Sequence, residues 1–325
     1  MDRLLTEEKI MAKSLQTIVI GTSLTEASDG VVRTGVALAQ ATGASVWLIH
    51  SYLPIAMAPG VGLDAEWIED QKKTLCELLT GQAARTGLSA LPGYVPGQVQ
   101  LGIGSAHREI VDLAQRVHAD LVIVGAAESH GILGSTADRV IRKAPCPVLA
   151  LRPGTAFPPA RVEIPVDLSP ISADAFRQGL ALLGQLGGPP PGMEALFVLN
   201  PFEVGGSISF TPEQIRRFAG EELDRFLAAN TPEGQRPLPA RVRTGYAREE
   251  ILAALQETKA DLAVLGTHGR GGFERLMIGS VAAGVLRSAS CNLLIVPPAA
   301  SLRHERRGER SEVSAEDPVV VAGLS

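Results

Sequence analysis

Three blocks of this sequence occur twice, in the same order. Glu109–Gly125 (EIVDLAQRVHADLVIVG) aligns without a gap to Glu250–Gly266 (EILAALQETKADLAVLG), 141 residues downstream. Thr22–Ala39 aligns to Val166–Leu183 at an offset of 144, and Gly134–Leu151 to Gly279–Val296 at an offset of 145. Ordered blocks at nearly constant spacing mean a tandem duplication, so both halves fold alike. A chain of 325 residues divides into two units of ordinary domain size.

Within each half, short apolar runs alternate with helix-length segments. The first repeat reads as strand 17–22, helix 29–42, strand 45–52, helix 64–86, strand 98–102, helix 106–117, strand 120–125, helix 135–143 and strand 146–151. The second reads as strand 161–167, helix 172–186, strand 194–200, helix 212–229, strand 240–245, helix 248–258, strand 261–266, helix 280–288 and strand 291–297. Strands that are continuous apolar runs between helices indicate a parallel sheet covered on both faces. The expected organisation is an N-terminal arm (1–14), a first domain (15–152), a Pro-rich linker (153–160), a second domain (161–298) and a charged, disordered tail (299–325). Within the tail, Val319–Leu324 is the one piece able to pair as an edge strand. The two repeats are expected to face each other about a pseudo-two-fold axis. Their closing strands, Cys146–Leu151 and Cys291–Val296, are apolar edges that would form the contact.

Composition removes several function classes. A net charge of −5 argues against a general nucleic-acid binder. No apolar run reaches membrane-spanning length, so no membrane association is expected. The first fourteen residues, MDRLLTEEKIMAKS, are charged and lack a signal-peptide core, which predicts a cytoplasmic protein. The three cysteines, Cys76, Cys146 and Cys291, make no metal-binding spacing. Cys146 and Cys291 occupy equivalent positions on closing strands. They read as buried small hydrophobes, with a redox pair across the domain interface as the other reading.

The residues with most chemistry are 266–280, GTHGRGGFERLMIGS, with the spacing Gly266-x2-Gly269-x9-Gly279-Ser280. They follow an apolar strand and precede a helix. Glycines let a backbone approach a phosphate, and the N–H groups and positive dipole end of the helix then face the anion. Ser280 adds a hydroxyl as N-cap or phosphate donor. No Gly-x4-Gly-Lys-Ser/Thr string occurs, so this is not a Walker loop. As a bare pattern the string reads equally as a strand-to-helix turn. Arg270 and Arg275 lie inside it, either as phosphate partners or as solvated surface; His268 is better read as an exposed loop histidine. Gly102-x-Gly104 serves only to start the next helix.

The strand end Pro165–Pro170 (PVDLSP), the Gly266-to-Ser280 string and the closing strand together resemble the universal stress protein family, over about residues 15–298. The resemblance implies two tandem, Rossmann-like α/β domains, each a doubly wound five-stranded parallel sheet, related by a pseudo-two-fold axis. It also implies ATP as the bound cofactor, expected with Mg2+. Carried onto this chain, Asp167 would touch the ribose or adenine end, with Pro165 and Val166 shaping that pocket. Leu265, Gly266, Gly269, Arg270, Gly279, Ser280 and Val281 would line the phosphate side. Ligands of open α/β sheets sit beyond the carboxyl ends of strands, where Asp167 and Gly266 both lie. Asp167 has a second reading as an N-cap or Asx-turn, and both roles can coexist.

The first repeat departs from the pattern. Ser23 stands where Asp167 stands, Glu128 stands where Gly269 stands, and the loop from Gly125 to Gly134 is four residues shorter. A carboxylate there repels phosphate, so one competent and one degenerate site are expected. No catalytic constellation is evident, which predicts a non-enzyme with at most slow ATPase activity. The expected role is a nucleotide-dependent stress-response regulator or interaction module with an unidentified protein partner, paired within the chain and able to form a homodimer. The alternatives are a nucleotide-free scaffold and a phosphoryl-transfer enzyme; the latter would need an acid, base or lysine at the phosphates.

Overall fold

The computed structural model describes residues 14–53, 65–126, 134–155, 157–185, 192–200, 211–267, 278–297 and 319–320. The N-terminal arm and most of the tail lie outside them, as do Gly269 and Arg270. The first half runs β1 (Thr17–Gly21), α1 (Glu26–Thr42), β2 (Ser45–Tyr52), α2 (Ala65–Arg85), β3 (Val99–Ile103), α3 (Ala106–Arg116), β4 (Leu121–Gly125), α4 (Ser135–Lys143) and β5 (Val148–Leu151). The second half repeats the order: β6 (Arg161–Val166), α5 (Pro170–Gly184), β7 (Gly192–Leu199), α6 (Pro212–Asn230), β8 (Ala240–Thr244), α7 (Ala247–Glu257), β9 (Leu262–Gly266), α8 (Ser280–Ser288) and β10 (Asn292–Val296).

Each half is a parallel sheet with strand order 3-2-1-4-5, and the two sheets merge into one: β3-β2-β1-β4-β5-β10-β9-β6-β7-β8. Among the described residues, the strands that pair across the halves are β5 and β10, antiparallel, in the register Val148↔Ile295, Leu149↔Leu294 and Ala150↔Leu293. The repeats therefore meet edge to edge in one sheet rather than face to face. The pairing removes two apolar edges. Because β5 and β10 run in opposite directions, the carboxyl ends of the two sets of strands point to opposite margins of the sheet.

Alternation along the strands feeds two core layers, and both layers cross the seam. One joins α1, α2, α5 and α6 through Ile18, Ile20, Leu149, Ile164, Leu294 and Val296. The other joins α3, α4, α7 and α8 through Val19, Val148, Leu265, Leu293 and Ile295. The duplication extends to close packing. Gly35 in α1 and Gly179 in α5 are equivalent, and a Cβ at either would stand 2.2 Å from Ile20 Cδ1 or 2.6 Å from Val264 Cγ1. Only glycine lets these helices lie so near the sheet.

Two details differ from the sequence reading. Helix α1 starts at Glu26, three residues early. The polar run before it packs inward: the Ser28 hydroxyl donates to the Thr25 carbonyl at 2.7 Å, and Thr22 and Ser28 are buried. Cys146 and Cys291 precede β5 and β10 rather than sitting on them. All three cysteines are free and buried, and burial pushes the Cys291 thiol up to about 11, which suits packing rather than redox exchange. Within the tail, Val319–Val320 forms β11, antiparallel to β3 in the register Val319↔Leu101 and Val320↔Gln100. It covers the outer edge of the first half.

Beneath the end of β1, Asp29 accepts two bonds from Arg85, at 2.8 and 2.9 Å, and one from Gln82 at 2.7 Å. The Arg85 guanidinium holds its carboxyl below the usual carboxylate range, against the opposing effect of burial. A depressed folded-state pKa contributes stability that is full above the unfolded value, about 3.9, and is lost as pH falls through the folded value. Asp29→Asn should therefore be less stable than the parent at neutral pH, with the gap closing below about pH 4. Denaturant titrations of both proteins from pH 7 to pH 3 check this; a pH-independent gap would contradict it.

Candidate functional site

In the second half, strand order reverses direction between β6 and β9, the switch point where open α/β sheets bind ligands. The backbone ladder between these two strands is short. Register pairing between β6 and β9 ends at Val162↔Leu262 and Glu163↔Ala263. In the first half the equivalent β1–β4 ladder runs two pairs further, to Ile20↔Ile123 and Gly21↔Val124. The cause is Pro165. The Arg161 carbonyl accepts from the Asp261 N–H, so residues 161, 163 and 165 present their backbone groups to β9. The next bond of the ladder needs the N–H of residue 165, and proline has none.

Past the end of this ladder, Asp167 turns the chain into α5. Its Oδ1 accepts the Ser169 N–H at 3.0 Å, an Asx-turn, and Leu168 takes a left-handed φ of 64°. The N-cap of α5 is Ser169, whose hydroxyl accepts the Ser172 N–H at 3.1 Å. Asp167 is thus a turn-former at the mouth of the crevice and stays part-exposed. On the other side, β9 ends at Gly266. Thr267 donates its N–H to the Val296 carbonyl at 3.2 Å and accepts the Gly279 N–H at 2.8 Å. These two bonds pin the start of α8 against the end of β9. Residues 268–277 fall between them and outside the described residues.

Gly279 is the N-cap of α8, with φ −56° and ψ 151°; Ser280 is the first helical residue, not the cap. Gly279 is therefore extended, not left-handed, and its N–H is already given to Thr267. Donors of the first helical turn remain to face an anion. Gly279 has no side chain to cap them, and the first turn holds no acidic residue. Ser280 and Val281 are exposed at this end. Pro165 and Leu265 lie on the sheet face that carries α8, by alternation along their strands. Val166 alternates to the other face and is buried among α5 and α6, so its side chain shapes the core and not the crevice. Pro165, Asp167, Leu265, Gly266, Gly279, Ser280 and Val281 converge on this margin. Gly269 and Arg270 fall in the undescribed stretch.

The equivalent place in the first half carries different groups. Gly134 caps α4 with nearly the same geometry, φ −60° and ψ 149°, but Asp138 sits in that first turn, bound to Arg142 at 2.8 and 3.0 Å. Ser23 pairs with the Thr25 hydroxyl at 2.9 Å. Behind it, the Thr22 hydroxyl lies 2.9 Å from Ser28 and 2.8 Å from Gln82, a network buried in the protein. His50 meets the Thr22 carbonyl at 2.9 Å, and burial lowers its basicity.

The profile described as the universal stress protein family matches residues 14–152 and 160–297. The chain belongs to the universal stress protein family. The two matches make it a tandem universal stress protein. A universal stress protein of Mycolicibacterium smegmatis is 27% identical over 304 residues, covering 86% of this chain and 97% of that protein. A universal stress protein E homolog of Haemophilus influenzae is 28% identical over 169 residues, 49% of this chain and 55% of that protein. The match thus spans about half the length of the Haemophilus relative. Among solved structures, a universal stress protein of Archaeoglobus fulgidus superposes with a TM-score of 0.61 at 15% identity, covering 88% of this chain and 99% of the other. A Pseudomonas aeruginosa protein of unknown function does so with 0.62 at 17% identity, covering 90% and 96%. Both show the shared fold.

Sequence reasoning missed the shortened ladder of this universal stress protein. The signal was present: a proline inside a strand that topology makes central. Among the described residues, no three His, Cys, Asp or Glu side chains group to hold a metal ion, and no helix is long and apolar enough to cross a membrane.

Proposed function

We propose that this universal stress protein binds ATP at the carboxyl margin of its second half, and that binding governs which partner the paired domains engage in a cytoplasmic stress response. The observation that carries the reading is the β6–β9 ladder cut short at Pro165, at the switch point and beside a helix start free of acidic residues. An anion is favoured at such a helix end by its N–H donors and dipole. The residues present fit a nucleotide. The first turn of α8 would receive phosphate, with Ser280 as an added donor. Asp167, already oriented by its turn, would accept from ribose or base hydroxyl and amino groups. Mg2+, when bound, would neutralise phosphate charge and be held chiefly by phosphate oxygens. The role of the site is binding, and any hydrolysis is slow.

Calorimetric titration with ATP and Mg2+ tests the reading. One site per chain is expected. At roughly 100 times Kd the ligand should add about 2.7 kcal/mol of stability, a Tm rise of about 4–5 °C for a chain that unfolds as one unit. Asp167→Ala should weaken binding by about 1–3 kcal/mol. Two equivalent sites would overturn the view that the first half is degenerate. No binding at all would leave a nucleotide-free scaffold as the function, and rapid turnover would make the protein an enzyme.

A further inference from the structure

Helix α8 is held at its far end by the other half of the chain. Its last turn exposes carbonyls that the helix itself cannot satisfy. One of them, Leu286 O, accepts a bond of 3.2 Å from Arg152 Nη2. Arg152 directly follows β5 and so belongs to the first half. It is 8% exposed, a cation buried at the seam. Its position is fixed by its own backbone: the Arg152 N–H donates to Asn292 Oδ1 at 2.9 Å, and the Thr155 hydroxyl donates to the same oxygen at 2.5 Å. Asn292 is fully buried in β10. A positive group at a helix C-terminus also interacts favourably with the helix dipole.

The arrangement is one-sided. By the repeat alignment, Pro297 stands where Arg152 stands, and Pro147 stands where Asn292 stands. Proline offers neither a cationic side chain nor a side-chain amide. The second half therefore has no matching residue with which to hold α4. The helix that Arg152 holds across the seam is the one whose other end forms the proposed phosphate site.

We infer that Arg152 is a positioning residue for that site: it fixes α8 from the opposite domain and makes α8 a rigid link between bound ATP and the β5–β10 seam. This rests on the nucleotide reading of the second half. A charge-assisted bond at one end of a nine-residue helix resists sliding and tilting of the whole rod. Ligand at the N-terminal end then changes the load on the clamp, and the clamp changes how well the N-terminal end receives ligand, since coupling between sites is reciprocal.

The test uses the full chain with Arg152→Met, which keeps bulk and removes the charge and the bond to Leu286, and Arg152→Lys, which keeps the charge. Without nucleotide, Arg152→Met should raise amide exchange in the last turn of α8 by roughly ten-fold while leaving α4 unchanged. Equal exchange in parent and variant would overturn the clamp, whatever the nucleotide result. With ATP, the parent should gain protection at Leu149, Ala150, Leu293 and Leu294. Arg152→Met should bind about 5-fold to 10-fold more weakly without that gain, and Arg152→Lys should recover part of both. A parent that binds ATP with no change at the seam, or an Arg152→Met variant that binds equally well, would overturn the coupling. Failure of the parent to bind ATP would overturn the coupling together with the nucleotide reading, and the exchange result without nucleotide would still distinguish a clamp from none.

Discussion

Gly279→Val should abolish ATP binding and leave the fold in place, whereas Gly134→Val should leave ATP affinity nearly unchanged. The two glycines are equivalent N-caps with nearly the same backbone angles, φ −56° and −60°, ψ 151° and 149°. These are extended angles that valine adopts readily, so backbone strain does not confound the comparison. What valine adds is an isopropyl group beside the first-turn donors of α8, where phosphate would sit. At α4 the same group blocks nothing, because Asp138 already disfavours an anion there. Titration of both variants, with circular dichroism as the check on folding, reads the result. Loss of binding only in Gly134→Val would move the working site to the first half. No loss in either would reduce the glycine string to a turn.

Leu294→Asp should split or abolish cooperative unfolding. Leu294 is 2% exposed and lies opposite Leu149 across the antiparallel seam. Both core layers pass through this pairing, so the parent should unfold in a single transition. An unpaired carboxylate at a buried position costs about 3–5 kcal/mol, or protonates instead. Leu294→Ala, a milder change, should cost about 2–5 kcal/mol. Differential scanning calorimetry checks both: if Leu294→Asp melts as one transition close to the parent, the halves are joined by something other than this seam.

The helices with sharp punctuation were legible to the residue. Ser135–Lys143 and Ser280–Ser288 each follow a glycine and end before an alanine in extended conformation. The seam was legible because its strands are apolar, terminal and otherwise exposed. Where polar residues serve the core, the sequence misled: Thr22, Ser28 and Gln82 form a buried network, which hid the start of α1. Val166 was placed in the pocket because it neighbours Asp167 in sequence, yet strand alternation turns it to the other core. Pro165 matters at the site through its missing donor, which ends the β6–β9 ladder early.

The duplication has a consequence for how the protein can change over time. In an isologous dimer of identical subunits, every substitution at the interface appears twice, and each residue must suit its own image. Once the two copies are one chain, that constraint ends. Arg152 can arise on one side without a second buried cation arising opposite it, and Pro297 can occupy the mirror position at no cost to the first. Fusion thus lets a symmetric assembly acquire a direction, in which one copy supports and the other responds.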